Sequence, residues 1–100
     1  MIDPKDIPYL FIKKEPLLGS DKGMRYRLAK ASDDNGDYID VCIWPEPYNY
    51  EKTDETLKTH ERFDLSPEGV AEAVDWLNSQ KELRAELWNQ VYGKPLMTIM

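Results

Sequence analysis

The chain has one cysteine and one histidine. Cys42 and His60 are therefore its only thiol–imidazole pair. Nucleophilic catalysis by such a pair needs both within hydrogen-bond reach and a third group to orient the imidazole. Cys42 sits inside an alternating apolar run and reads as a packing residue, so a structural cysteine is expected rather than a nucleophile. A single cysteine excludes an internal disulfide and a CxxC metal knuckle. A single histidine excludes a histidine-rich metal site. Asp33, Asn35 and Asp37 place oxygen ligands at alternate positions, as calcium loops do. An EF-hand loop needs glycine at its sixth position and a bidentate glutamate at its twelfth. Counted from Asp33, Gly36 is fourth and Trp44 twelfth, so the match fails. No P-loop, GxGxxG, HExxH or GxSxG motif occurs. The sequence assigns no catalytic residue, no metal ligand and no cofactor.

Two other groups of residues suit recognition. Trp44, Tyr48 and Tyr50 stand among Pro45 and Pro47. Tyrosine and tryptophan are common binding anchors, and prolines reduce the entropy lost on docking. The competing expectation is that these rings cover the sheet. Leu87, Trp88 and Tyr92, far along the C-terminal helical segment, form an exposed apolar patch if that segment overhangs the sheet. The second group is acidic. Residues 32–65 carry ten acids and three bases, whereas residues 1–31 carry seven bases and four acids. Asp33, Asp34, Asp37, Asp54 and Glu55 are the acids left without an evident partner. Gathered on one face without basic neighbours, they would mimic nucleic-acid phosphates.

These residues must be held by elements that the pattern reveals. Tyr9-Leu10-Phe11-Ile12 is a short apolar run closed by Pro16 and is read as a strand. Gly19 to Gly23 is turn chemistry. Met24, Tyr26 and Leu28 alternate with arginines, and Ile39, Val41 and Ile43 alternate with Asp40 and Cys42, which predicts two half-buried strands. Asn35-Gly36 between them signals a type I′ hairpin, which needs positive φ at both central residues. That loop would set Leu28 opposite Ile43, Arg27 opposite Trp44 and Arg25 opposite Glu46. The core face is then Tyr26, Leu28, Ile39, Val41 and Ile43. Lys58 to Leu65 predicts a further strand. Ser66-Pro67-Glu68 is a helix start, with a capping serine, a proline suited to the first turn and an acid that complements the dipole. Val70, Ala73, Val74 and Leu77 form one apolar stripe. Without Gly or Pro between 70 and 92, one continuous or gently bent helix over 67–91 is favoured over two meeting near residues 78–80. The apolar tail, residues 96–100, is expected to pack on something.

The expected fold is α+β in a single domain over residues 1–100: a mainly antiparallel sheet of three to four strands, then a C-terminal helical segment packed on one face. At 100 residues, with 41% hydrophobic and 11% aromatic content, the chain can bury one modest core. No run approaches the roughly 18 apolar residues of a membrane span, and no signal-peptide pattern opens the chain, so a cytoplasmic protein is expected. The net charge of −6 argues against direct nucleic-acid binding. The expected function is non-enzymatic protein binding, as an adaptor or regulatory domain that self-associates through its C-terminal helix. The alternatives are an acidic nucleic-acid mimic that inhibits a basic partner, and a small ligand-binding protein or enzyme.

Overall fold

The computed structural model describes residues 2, 5, 7–46 and 49–91. Four antiparallel strands form one sheet in the order β1 (Leu17–Asp21), β2 (Met24–Asp33), β3 (Gly36–Pro45), β4 (Thr59–Asp64). A one-turn helix, α1 (Tyr9–Ile12), precedes the sheet, and α2 (Pro67–Leu83) and α3 (Ala85–Val91) follow it. The α+β architecture follows the sequence pattern. Among the described residues, no helix is long and apolar enough to cross a membrane.

The core lies between the inner sheet face and the helices. Met24, Tyr26, Leu28, Ile39, Val41 and Ile43 meet Val70, Ala73, Val74 and Leu77 of α2. The expected core face and the first helical stripe are therefore the buried ones. Ser66 caps α2 by accepting a hydrogen bond from the Gly69 N–H at 3.0 Å. The N-terminal segment closes the core with Ile2, Ile7 and Ile12. Asn78 holds it there: its side-chain amide accepts from the Ile2 N–H and donates to the Ile2 carbonyl, both at 2.9 Å.

Four expectations need correction. The run at Tyr9–Ile12 is a helical turn, and the first strand lies later, at Leu17–Asp21. Four residues are too few to show a helical or strand period. The β1–β2 turn shrinks to Lys22-Gly23, both with positive φ. The second hairpin closes through Asp34-Asn35, with Asp33 paired to Gly36. Asp33 fixes this turn by accepting from the Asn35 N–H at 2.8 Å. In it only Gly36 has positive φ, so the type I′ form is not made. The pairing moves by two residues: Leu28 faces Val41, Arg27 faces Cys42 and Arg25 faces Trp44. A two-residue shift preserves which face each side chain takes, so the core survives it. Finally, the helical segment breaks at Arg84 (φ −118°, ψ 29°). Beyond the break α3 continues in a changed direction, with Trp88 completely buried. A ring of that size removes some 200 Å² or more from water, which outweighs one interrupted helical turn.

Candidate functional site

The outer sheet face carries the residues capable of chemistry. Its side chains run across the strands in rows, as strand register requires. One row is Ser20, Arg25 and Trp44. The next is Leu18, Arg27, Cys42 and His60. A third is Ala29, Asp40 and Arg62. The 49–58 segment crosses the first two rows. Asn49 shapes it: its side chain accepts from the Lys52 N–H at 2.9 Å, and its carbonyl accepts from Thr53 N–H and Oγ1. Asp54 caps the short 3₁₀ turn at Glu55–Leu57 by accepting from the Thr56 N–H at 3.0 Å.

Cys42 and His60 are brought together because they are register partners on β3 and β4. Cys42 Sγ lies 3.7 Å from His60 Nε2. Asp40 Oδ1 stands 3.3 Å from Nδ1, and Glu55 Oε1 stands 2.8 Å from Nε2. The nearest partner of Nε2 is thus a carboxylate, not the thiol. A neutral imidazole has one N–H and can donate to only one of these two acids. Burial, reinforced by the Asp40 charge, pushes the Cys42 thiol up to about 12. The constellation looks like a triad but lacks a thiolate. Among the described residues, no group of three His, Cys, Asp or Glu side chains is arranged to hold a metal ion. Cys42 should therefore react with 5,5′-dithiobis(2-nitrobenzoate) at pH 8 at least about a hundredfold more slowly in the native protein than in urea. A native rate within tenfold of the unfolded one would refute the buried, neutral thiol.

The aromatic segment is divided by burial. Trp44 is only 1% exposed, so it supports the surface rather than presenting itself. Tyr50 packs edge-on against it, with ring centroids 5.5 Å apart. The Arg27 guanidinium lies 4.6 Å from the Tyr50 centroid and the Lys58 ammonium 3.9 Å. The shifted register takes Arg27 away from its expected place opposite Trp44, and its cation–π contact is made to Tyr50. The expected Arg25–Glu46 pair exists at 3.9 Å, reached diagonally. Tyr48 lies outside the described residues.

Beside Tyr50 the outer face is concave. A cleft of about 380 Å³ is lined by Pro16, Leu18, Arg27, Asn49, Tyr50 and Glu51. A second, of about 250 Å³, shares Leu18, Asn49 and Tyr50 and reaches Arg25 and Trp44. Together they follow β1 from Pro16 to Ser20. Leu18 is 58% exposed at its centre. The sequence does not reveal this groove, because residues 19–23 read as a turn and so hide the strand that carries Leu18.

The C-terminal patch is also divided. Trp88 is in the core, contrary to the expectation that it lies on an overhang; its indole N–H donates to the Gln80 carbonyl at 3.1 Å. Leu87 is 37% exposed and Leu83 76%. Tyr92 and residues 96–100 lie outside the described residues.

The acids are interleaved with bases. Asp33 meets Arg62 at 2.7 Å, Asp37 meets Lys30 at 3.6 Å and Glu55 meets Lys58 at 3.1 Å. The Asn35 N–H, then Arg62, hold the Asp33 carboxyl below its ordinary range. The Ser32 hydroxyl, then Lys30, do so for Asp37; the Thr56 N–H for Asp54; and His60, then Lys58, for Glu55. Asp34 is exposed at the hairpin tip. An uninterrupted carboxylate array, which phosphate mimicry needs, is broken by Arg62, Lys30 and Lys58. Comparison with protein-family models, curated proteins and solved structures returns no match.

Proposed function

We propose that the protein is a non-enzymatic protein-binding module whose contact surface is the outer-face groove between β1 and the 49–51 segment. The observation that supports this most is Tyr50. It is a half-buried ring backed by Trp44 and flanked by two cations, lining one cleft with a largely exposed leucine. A ring held in this way loses little freedom on docking, which is what makes an aromatic anchor effective. The neutral Cys42 thiol argues against nucleophilic catalysis on the same face.

A second reading keeps self-association through the C-terminal helices, because Leu83 and Leu87 remain exposed there. One experiment separates the two. Benzoylphenylalanine replaces Leu18 in one variant and Leu83 in another, and both are irradiated in cells that naturally make the protein. Adducts with a different protein are expected from position 18. Adducts at twice the chain mass from position 83 would favour self-association. A folded position-18 variant that yields no adduct would overturn the groove.

A further inference from the structure

The groove is charged as well as apolar, and its charge differs from that of the rest of the outer face. Lys58 and Arg62 each meet a carboxylate there, at 3.1 and 2.7 Å. Arg27 meets no carboxylate among the described residues; its guanidinium lies against the Tyr50 ring. Arg25 has one distant acid, Glu46 at 3.9 Å, and its buried Nε has no hydrogen-bond partner among the described residues. Two incompletely neutralised guanidiniums thus sit side by side in a molecule of net charge −6. The Nε is closed off from the groove, so a ligand meets the exposed part of the guanidinium fork, and the acceptor which that planar fork fits best is a carboxylate.

The shape limits what can bring that carboxylate. The groove runs along β1 from Pro16 to Ser20. At the rise of an extended chain this is about 13 Å, room for roughly four residues. Leu18 and Tyr50 offer apolar contact on either side of the arginines. Resting on the reading that this groove is a binding site, we propose that it takes an extended peptide in which an aspartate or glutamate is flanked by apolar residues. The acid engages Arg25 and Arg27, and its neighbours cover Leu18 and Tyr50. Glu51 on the rim and the net negative charge disfavour a polyphosphate chain, which would bring one charge per nucleotide.

The test is selection of a displayed library of random 12-residue peptides on the full chain, with fluorescein-labelled dT12 as a second probe. Enriched peptides should share an acidic residue beside an aliphatic or aromatic one. A synthetic copy should bind at least about tenfold more weakly to Arg27→Gln and to Leu18→Ser, unchanged to Leu83→Ser, and more weakly as salt rises. Arg25→Gln serves as the second variant if circular dichroism shows that Arg27→Gln loses its fold. Enriched peptides without an acid, insensitive to both arginine changes but sensitive to Leu18→Ser, would overturn the carboxylate assignment and leave the groove a binding site. No enrichment, or enrichment insensitive to Leu18→Ser, would overturn both. Binding of dT12 that is lost in Arg27→Gln would assign the groove to phosphates and overturn the peptide proposal.

Discussion

Replacing Trp88 by alanine is expected to destabilise the protein by about 3–5 kcal/mol in urea unfolding, the range for emptying a large aromatic from a core. The ring is fully buried and belongs to the same cluster as Met24, Ile43 and Leu77. Its loss opens a cavity and removes the indole bond to the Gln80 carbonyl. A domain of this size is typically stable by only about 5–15 kcal/mol, so the variant should be partly unfolded in mild denaturant. Trp88→Phe keeps most of the ring but not the N–H, and should cost about 1–3 kcal/mol. A loss below about 1 kcal/mol for Trp88→Ala would mean that α3 is not docked as described.

What could be read from the sequence divides along a physical line. Period-two alternation in 24–28 and 39–43 identified β2, β3 and their buried face, because face depends only on parity. Partner identity depends on the turn, which lies one residue earlier than Asn35-Gly36 predicts and so moves every pairing by two. Asn35-Gly36 is a strong local signal, but the Asp33 side chain offered the Asn35 N–H a competing acceptor. β1 was missed because Leu17–Asp21 contains a glycine that reads as punctuation. Gly19 is there for space: a Cβ at that position would lie 2.5 Å from the Tyr26 ring paired with it. The break at Arg84 carries no Gly or Pro, and is favoured by the tertiary burial of Trp88 rather than by local preference. The start of α2 needed no tertiary information, because Ser66 and Pro67 act through their own backbone.

The candidate site suffered most from the missed strand. Tyr50 stands out in the sequence as an aromatic near two prolines, but nothing marks Leu18 as its counterpart while 19–23 reads as a turn. Trp44 and Trp88, the most conspicuous residues for binding, are instead buried supports. Composition identifies large rings but not which side of the backbone they take. That side is set for Trp44 by strand parity and the 49–58 crossing, and for Trp88 by the break at Arg84. Cys42 and His60 each read as strand residues, yet their adjacency needs the β3–β4 register, which a connection as long as 46–58 does not fix as a two-residue hairpin turn would.

Gly23→Ala should rival the tryptophan change, at about 2–4 kcal/mol, for two separable reasons. Gly23 sits at φ +103°, where an L-residue is strained by about 1–2 kcal/mol. A Cβ there would also lie 2.0 Å from the Trp88 carbonyl oxygen, so the β1–β2 turn and α3 must part. Gly36 supplies the control. Its φ is +123°, but a Cβ there meets nothing within 4 Å. Gly36→Ala should therefore cost only the backbone share, about 1–2 kcal/mol, and the difference between the two variants measures the docking of α3. The two routes to loosening α3 should also overlap. In the Gly23→Ala, Trp88→Ala double variant the loss should fall short of the two single losses added, because both remove the same packing. Equal costs for Gly23→Ala and Gly36→Ala, or strict additivity with Trp88→Ala, would show that the turn does not support α3. If α3 is supported as described, near-ultraviolet circular dichroism of Gly23→Ala should lose part of the Trp88 signal while the far-ultraviolet strand signal persists.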